Sequence, residues 1–477
     1  MNFQVVILWS DVLMWSLVLI GAAVGWLARR DPLLLEAWRK VGRSPTGMAS
    51  AAVLCVFLAI GLVDSMHYRP ALPEAPVTPG AEPAKTRYAV EVRSGLDLLL
   101  EHLRTRTEKT YSEPLATRSF SKEMLPGPDG TQRRDYPRLR HGGAHLADES
   151  AAATDVLRLG LTGALIGAAV VALLAVWVAW RVHNFQKKSF AAAWRALWRG
   201  ETGMAWRAAL LTLAVVFVWG GALAGVSAGY HALGTDKVGQ DVLYQVLKSV
   251  RTALVIGLLT TFVTLPIGIA LGVAAGYFRG WVDDVIQYLY TTLSSIPGVL
   301  LIAAAALMMQ AIIDLHPEWF STAAERADMR LLALCLILGM TSWTGLARLL
   351  RGETLKLSQL EYVQAAQAFG VSKLRILARH ILPNVMHIVI IALVMDFSGL
   401  VLAEAVLSYV GIGVDPSMIS FGTMINNARM ELSREPVVWW SLVGAFVAMF
   451  VLVLAANLLA DVVRDAFDPR MSAEEQK

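Results

Sequence analysis

The amino-acid sequence predicts an all-α polytopic membrane protein, and three observations carry that expectation. Hydrophobic residues make up 56% of the chain and charged residues only 17%, where a soluble domain carries about a quarter charged. Apolar runs long enough to cross a hydrocarbon core of about 30 Å recur along the sequence, each needing about 20 residues as a helix. Basic residues gather in short loops beside those runs. Lipid offers no partner to backbone N–H and C=O groups, so such runs must satisfy them internally as helices. The net charge of +4 is small, and its placement beside spans argues against nucleic acid as a partner.

Nine spans are expected, at about 5–27, 48–64, 158–180, 206–229, 250–276, 285–312, 331–350, 384–408 and 437–460. The first has no basic stretch before it, is interrupted by Asp11 and is followed by Arg29 and Arg30. That order suits an uncleaved helix rather than a signal peptide. Three loops set the orientation. The first, 28–47, carries Arg29, Arg30, Arg39, Lys40 and Arg43; the second, 181–205, carries Arg181, Lys187, Lys188, Arg195 and Arg199. The third, 351–383, adds Arg351, Lys356, Lys373, Arg375 and Arg379. Placing all three in the cytoplasm satisfies the positive-inside rule and predicts an N-terminus outside and a C-terminus inside. Cys55 and Cys335 lie inside apolar runs without Cys or His at ligand spacing, so they read as small apolar fillers and no metal site is expected.

Four regions follow from this pattern. Residues 1–65 hold two helices and a basic loop, 66–157 form a polar insert on the outer side, 158–205 hold a third helix with a basic arm, and 206–477 hold the remaining spans. The insert opens with Pro70, Pro73, Pro76, Pro79 and Pro83, an extended polyproline-like spacer. Val92, Leu96, Leu99, Leu100 and Leu103 then fall on one helical face. Two readings stay open for the rest, a small domain packed against partners or a largely flexible segment. An internal echo precedes two spans. Ala37-Trp38-Arg39 leads to Thr46-Gly47-Met48, and Ala193-Trp194-Arg195 leads to Thr202-Gly203-Met204 at the same spacing. It reads as a duplicated arm-plus-span unit, or alternatively as two uses of Trp and Arg as interface anchors.

The most informative stretch runs Glu361-Tyr362-Val363-Gln364-Ala365-Ala366-Gln367-Ala368-Phe369-Gly370 and on to His380-Ile381-Leu382-Pro383-Asn384. Ser358 is a candidate cap for a short helix there. Ala365 and Ala366 keep one face of that helix slim, Gly370 permits a sharp reversal, and Pro383 stands where the next span begins. A slim-faced helix lying across a membrane surface suits a groove in a soluble partner. The stretch resembles the EAA loop of ABC importer permeases, matching at Ala365, Ala366, Gly370, Leu382 and Pro383; Gln364 stands where that family usually has Glu.

Further segments are similar to dipeptide and oligopeptide permeases of the DppC/OppC type, over about 190–470. They are His231-Ala232-Leu233-Gly234-Thr235-Asp236 through Gly239-Gln240-Asp241, Gly276-Tyr277-Phe278-Arg279-Gly280-Trp281-Val282-Asp283, Thr341-Ser342-Trp343, Ala403-Glu404-Ala405, Gly411-Ile412-Gly413-Val414 and the closing 461–470. Departures occur at Ala232, where the family has Pro, at Gln240, where it has Arg, and in a longer outer loop at about 313–330. The resemblance implies a type I ABC importer permease fold, with a six-helix core at about 206–461 and three extra N-terminal helices. It implies a multi-pass protein of a bacterial inner membrane that carries peptides or peptide-like solutes and has no catalysis of its own. Its loop at 358–383 would couple to an ATPase through Glu361, Gln364, Ala365, Ala366, Gly370, Leu382 and Pro383. The implied partners are two ATPase subunits or one dual ATPase, a second homologous permease, a periplasmic or lipoprotein solute-binding protein, and membrane lipid. ATP and Mg would sit on the partner subunits, with no cofactor on this chain. The resemblance also implies that 411–436 faces the solute-binding protein.

Ionisable residues within spans mark functional or tightly packed positions. Asp396 is a candidate for the solute path or a subunit interface, and Glu404 reads as interfacial and structural. Pro266 with Gly268 and Gly272, and Pro297 with Gly298, should kink or thin their helices. Trp439 and Trp440 read as an interface belt beside Phe421. No Gly-x4-Gly-Lys-Ser/Thr loop occurs, and no His-Glu-x-x-His or Gly-x-Ser-x-Gly element suggests a membrane hydrolase, so no hydrolase chemistry is expected. The rival readings are an ion-gradient-driven secondary transporter, which needs intramembrane charge pairs in matching halves, and a scaffold or receptor that uses the insert.

Overall fold

A computed structural model describes residues 3–28, 30, 32–72, 87–126, 132–187 and 189–467. In chain order it forms β1 (Phe3–Val5), α1 (Trp9–Ala28), α2 (Pro32–Arg43), α3 (Pro45–Asp64), β2 (His67–Pro70) and β3 (Arg93–Ser94). There follow α4 (Gly95–Leu99), α5 (Glu101–Thr105), β4 (Glu123–Pro126), β5 (Gln132–Asp135), α6 (Ala152–Gln186), α7 (Phe190–Arg199), α8 (Trp206–Ser227) and α9 (Val242–Phe278). The chain ends with α10 (Gly280–Ser295), α11 (Gly298–Leu315), α12 (Ala323–Leu357), α13 (Glu361–Ala368), α14 (Lys373–Ile376), α15 (Leu382–Val410), α16 (Phe421–Arg429) and α17 (Trp440–Phe467). Among the described residues nine helices are long and apolar enough to cross a membrane. They are α1, α3, α6, α8, α9, α11, α12, α15 and α17, so three precede the six of the expected core.

Four expectations are corrected. The span expected at 285–312 is broken at Ile296, because Pro297 and the residue before it favour extended backbone; α10 is a separate helix and α11 is the span. Phe3–Val5 pairs as a strand with His67–Pro70 instead of opening the first span. The outer loop expected at 313–330 shrinks to 316–322, since α12 already begins at Ala323 with Thr322 as its cap. Val92, Leu96, Leu99, Leu100 and Leu103 do not share one face: the chain breaks at Leu100, Leu96 and Leu103 are buried, and Leu99 is exposed.

The described residues divide into two compact units, 1–7, 38–252 and 419–458 in one, and 8–37, 253–418 and 459–477 in the other. In the first, α6 and α8 touch backbone to backbone. A Cβ on Gly163 would lie 2.0 Å from Gly221 O, and one on Gly167 would lie 2.0 Å from Phe217 O. Small residues permit such close approach in lipid, where packing rather than water exclusion drives helix association. α3 also packs on α8. The two echoed arms each fold as an amphipathic helix, α2 and α7, leading to a span. They meet where Ala205 N–H donates to Gly42 O at 2.7 Å.

The insert is a packed structure over its described residues, seated on this chain's own 231–241 segment and not on a partner as expected. β1, β2 and β3 make an antiparallel sheet, and β4 pairs with β5. Ser94 and Asp97 form a reciprocal cap at the start of α4. Leu103 joins Val226, Tyr230, Ala232, Leu243 and Tyr244 in one buried cluster. Backbone bonds tie the insert to the 231–241 segment, with Glu108 N–H donating to Gly239 O at 2.9 Å and Thr235 N–H to Ser112 O at 3.1 Å. Of the proline spacer, Pro70 ends β2; Pro73, Pro76, Pro79 and Pro83 lie outside the described residues.

In the second unit α1 packs on α12, and Ser10 N–H donates to buried Asp328 at 3.1 Å while its hydroxyl also reaches that carboxylate. α9 and α12 approach closely at Gly272, where a Cβ would stand 2.6 Å from Ala347 O. α9 stays continuous through Pro266.

Candidate functional site

The loop singled out by sequence is built on a small apolar footing. Val363, on the inner face of α13, is fully buried among Val273, Leu346, Leu350, Ile376, Ile381 and Val385. Ala366 and Leu382 pack on the same cluster. The opposite face of α13 presents Glu361, Gln364, Ala365 and Ala368, all exposed. Gly370 takes φ +74° with nothing within 4 Å of a Cβ, so conformation rather than space requires glycine there. The turn closes with Val371 N–H donating to Ala366 O at 3.1 Å and Gly370 N–H to Gln367 O at 3.0 Å, bonds that occupy otherwise orphaned carbonyls. A wider helical turn at Leu377–Ile381 then feeds α15, with Pro383 in its first turn, where a missing N–H costs nothing.

Ser358 does not cap α13. It caps the C-terminus of α12, donating to Leu355 O at 2.8 Å and accepting from Arg279 Nη2 at 2.8 Å. Leu360 stands at the cap position before α13 and supplies no side-chain cap. Sequence reasoning also missed two apolar side chains beside this helix: Phe369 is 87% exposed and Leu374 75%. Neither belongs to a periodic pattern, so only their position on either side of the Gly370 turn gives them away.

The segment 276–283 braces this loop. Arg351 of α12 grips Asp283 with two hydrogen bonds of 2.6 Å. Those bonds hold the Asp283 carboxyl below its usual range, with burial opposing them. Gln367 Nε2 donates to Tyr277 OH at 3.3 Å, and Lys373 Nζ stands 5.8 Å from the centre of the Phe278 ring. Arg279 and Gly280 both take positive φ, 54° and 56°, which turns the chain sharply out of α9 into α10. The EAA-like stretch and the 276–283 stretch, about 80 residues apart in sequence, thus form one structure.

Of the span carboxylates, Asp396 is half-buried on α15 with no hydrogen bond or ion pair among the described residues. Glu404 is buried and accepts from Ser408 Oγ at 2.6 Å one turn on. The Trp pair splits. Trp439 is half exposed as an interface residue would be, but Trp440 is buried and its Nε1 donates to Thr235 O at 2.8 Å. Phe421 is buried as well.

The first unit holds a second polar centre. His231 Nδ1 lies 2.8 Å from Asp241 Oδ2 and its Nε2 lies 3.4 Å from Glu108 Oε1, an ion-pair distance rather than a directed hydrogen bond. Glu108 also accepts the backbone N–H groups of Arg140 at 2.9 Å, His141 at 2.7 Å and Gly142 at 3.2 Å. Burial works against both charges, yet the two carboxylates push His231 up to about 9. Burial likewise opposes the charge on Glu108, while His231 and the three N–H groups pull it down to about 2. Nearby, Lys248 Nζ stands 2.7 Å from Asp64 Oδ1 and 3.1 Å from Asp97 Oδ1, and Tyr244 OH donates to Asp97 at 2.7 Å. Sequence reasoning assigned none of these roles.

A Gly-x-Ser-x-Gly pentapeptide does occur at 225–229. It lies at the end of α8 rather than on a strand-to-helix elbow. Ser227 Oγ donates to Ala224 O at 2.8 Å, and its contact with His102 Nε2 is 3.4 Å long. The hydroxyl is spent on the helix, so the pentapeptide builds no nucleophile.

Comparison with known proteins places this geometry in context. The family described as "Binding-protein-dependent transport system inner membrane component" matches residues 268–473, which include the loop and its brace. The glutathione transport system permease protein GsiD of Pectobacterium atrosepticum is 33% identical over 51% of this chain and 74% of its own length. The oligopeptide transport system permease protein OppC of Mycobacterium bovis is 32% identical over 50% of this chain and 76% of its own. The dipeptide transport system permease protein DppC of Bacillus subtilis is 28% identical over 58% and 85%.

Proposed function

Because this chain belongs to the family of binding-protein-dependent transport system inner membrane components, we propose that it is one of two permease subunits of an ATP-driven importer for peptides or peptide-like solutes. The relatives' names support the solute class: glutathione, oligopeptides and dipeptides. The basic loops support a cytoplasmic C-terminus and a periplasmic insert. ATP and Mg reside on partner ATPase subunits, a second permease completes the path, and a solute-binding protein delivers the cargo from outside. This chain contributes no chemistry of its own.

The observation that carries the reading is the construction of α13. Its inner face is sealed by Val363, while Ala365, Ala368 and Phe369 stand out from the surface. A short helix with a slim, partly apolar outer face, seated on a packed cluster, transmits a push without unfolding. When nucleotide closes the ATPase pair, a helix docked in its groove moves as a rigid body. The brace from Arg351 to Asp283 and from Arg279 to Ser358 carries that displacement into α12 and α10. Asp396, half-buried within a span, lines the solute path or the face toward the second permease in this reading.

The test is Ala365→Arg in the co-purified complex. Ala365 is exposed, so the substitution spares the apolar footing, which a change at half-buried Ala366 would not. The permease should insert and assemble normally while solute-stimulated ATP hydrolysis and uptake both fall by more than about tenfold, a loss of over ~1.4 kcal/mol in coupling. Wild-type stimulated hydrolysis in this variant rejects the docking role.

A further inference from the structure

The meeting point of the two echoed arms holds two clefts, each of about 570 Å³. One is apolar and is lined by Trp177, Val178, Val182, Phe185, Met204 and Trp206 at the end of α6 and the start of α8. The other is lined by Arg43, Pro45, Arg207 and Leu211 among others. Thr202 and Met204 line both, so the clefts adjoin. Arg43 and Arg207 are exposed and have no hydrogen bond or ion pair among the described residues. Arg181, at the apolar cleft, lies 5.8 Å from the Trp177 ring. From 181 to 211 the only acidic residue is Glu201, against six basic ones including Lys188, which lies outside the described residues.

The clefts occur where apolar spans give way to a basic arm, the level at which a bilayer exchanges acyl chains for headgroups. Two guanidiniums with no partner among the described residues, beside an aromatic-lined apolar cleft, ask for an occupant that is anionic at one end and greasy along the rest. A soluble anion would answer the arginines and leave Phe185, 91% exposed, and Trp177 facing water. We propose that this junction binds one anionic glycerophospholipid, its phosphate at Arg43 and Arg207 and an acyl chain along Trp177, Phe185 and Met204. Arg43 ends α2 and Arg207 lies in the first turn of α8, so such a lipid bridges two elements already joined by the bond from Ala205, the residue before α8, to Gly42 of α2. It works as a staple for the N-terminal extension.

The experiment is native mass spectrometry of the full chain in mild detergent, titrated with palmitoyl-oleoyl phosphatidylglycerol or with the phosphatidylcholine of identical chains. One phosphatidylglycerol should be retained in preference to phosphatidylcholine. Each basic side chain at a membrane surface is worth about fivefold in binding an anionic lipid, so R43A/R207A should weaken retention roughly 30-fold. R43K/R207K keeps the charge and should keep the lipid, which controls for folding. Met204→Trp fills the junction and should release both lipids. Equal retention of the two lipids by the wild-type chain overturns the proposal without recourse to any variant, and so does undiminished phosphatidylglycerol retention in R43A/R207A.

Discussion

Around His231 the chain buries three charged side chains, one brought by the insert and two by the 231–241 segment, and in α13 it buries a single valine, with a phenylalanine exposed just after it. Both regions connect helices across a polar surface, yet their energetics are opposite. Separating the insert from the 231–241 segment parts Glu108 from His231 and breaks the backbone bonds from Glu108 to Gly239 and from Thr235 to Ser112; taking a buried charge from its counter-charge costs several kcal/mol. Displacing α13 costs the apolar contacts of Val363 and Ala366 and two long exposed hydrogen bonds, Gln367 to Tyr277 and Asn384 to Tyr362. The first region is suited to hold still and the second to move with whatever grips it. A transporter needs both, a fixed frame and a lever.

The largest expected effect tests the frame. His231→Leu leaves two buried carboxylates facing each other and should destabilise the insert by about 3–5 kcal/mol, read as loss of protease resistance in 87–126 and a lower melting temperature. Lys248→Met should do the same to Asp64 and Asp97, which lose a cation at 2.7 and 3.1 Å. Proteolysis at 358–383 should stay at the wild-type rate in both; an equal rise there would erase the contrast.

The pH dependence sharpens it. His231 is raised from 6.5 to about 9 in the folded chain, so its contribution is complete below 6.5 and is lost as pH rises through about 9. Glu108 is lowered from 4.5 to about 2, so its contribution is complete above 4.5 and is lost as pH falls through about 2. Protease resistance of the insert should therefore be flat between those ordinary values and fall on both sides. In His231→Leu the alkaline decline should vanish. If the alkaline decline persists in that variant, the centre is not what holds the insert.

A smaller effect is expected where packing alone makes the frame. Gly167→Leu forces a side chain against Phe217 O, 2.0 Å from its Cβ position. Overpacking of this kind costs about 1–3 kcal/mol, to be read as a lower melting temperature and weaker cross-linking between α6 and α8. Phe369→Ser lies below that. An exposed substitution stays within about 0.5 kcal/mol in stability, but retention of the ATPase on an affinity column should drop. Unchanged retention would mean that the exposed ring is no part of the lever.

The fold was legible wherever one element decided its own state. Nine apolar runs gave nine candidate spans because lipid leaves a backbone no alternative to the helix. Pro297 was visible as a disturbance, but whether it kinks or severs a helix depends on tertiary support that a sequence does not display. Gly370 was legible because its turn demands positive φ. Ser358 was misassigned because the same residue type caps either end of a turn, and only the arrival of Arg279 from a distant segment settles which. The insert was least legible. Its charges look like those of a solvated segment, and they become a buried network only when Glu108, His231 and Asp241 come together from three places. Trp440 shows the same limit: its neighbour Trp439 has an identical local signal and lies half exposed.

The smallest expected effect concerns Gln364, where the EAA loop of related permeases usually carries Glu. Its amide nitrogen donates to Gln359 O at 3.1 Å, a bond within the loop that a carboxylate cannot make. Gln364→Glu therefore exchanges one weak exposed hydrogen bond for one exposed charge beside the proposed docking face. A surface ion pair is worth about 0–1 kcal/mol, so tighter gripping by a basic ATPase groove would raise stimulated hydrolysis by at most about fivefold. The gain should shrink as salt is added, because exposed charges are screened beyond about 10 Å at 0.1 M. If hydrolysis instead falls at all salt concentrations, the bond to Gln359 matters more than the missing charge, and the lever is held by its own loop more firmly than the exposure of α13 implies.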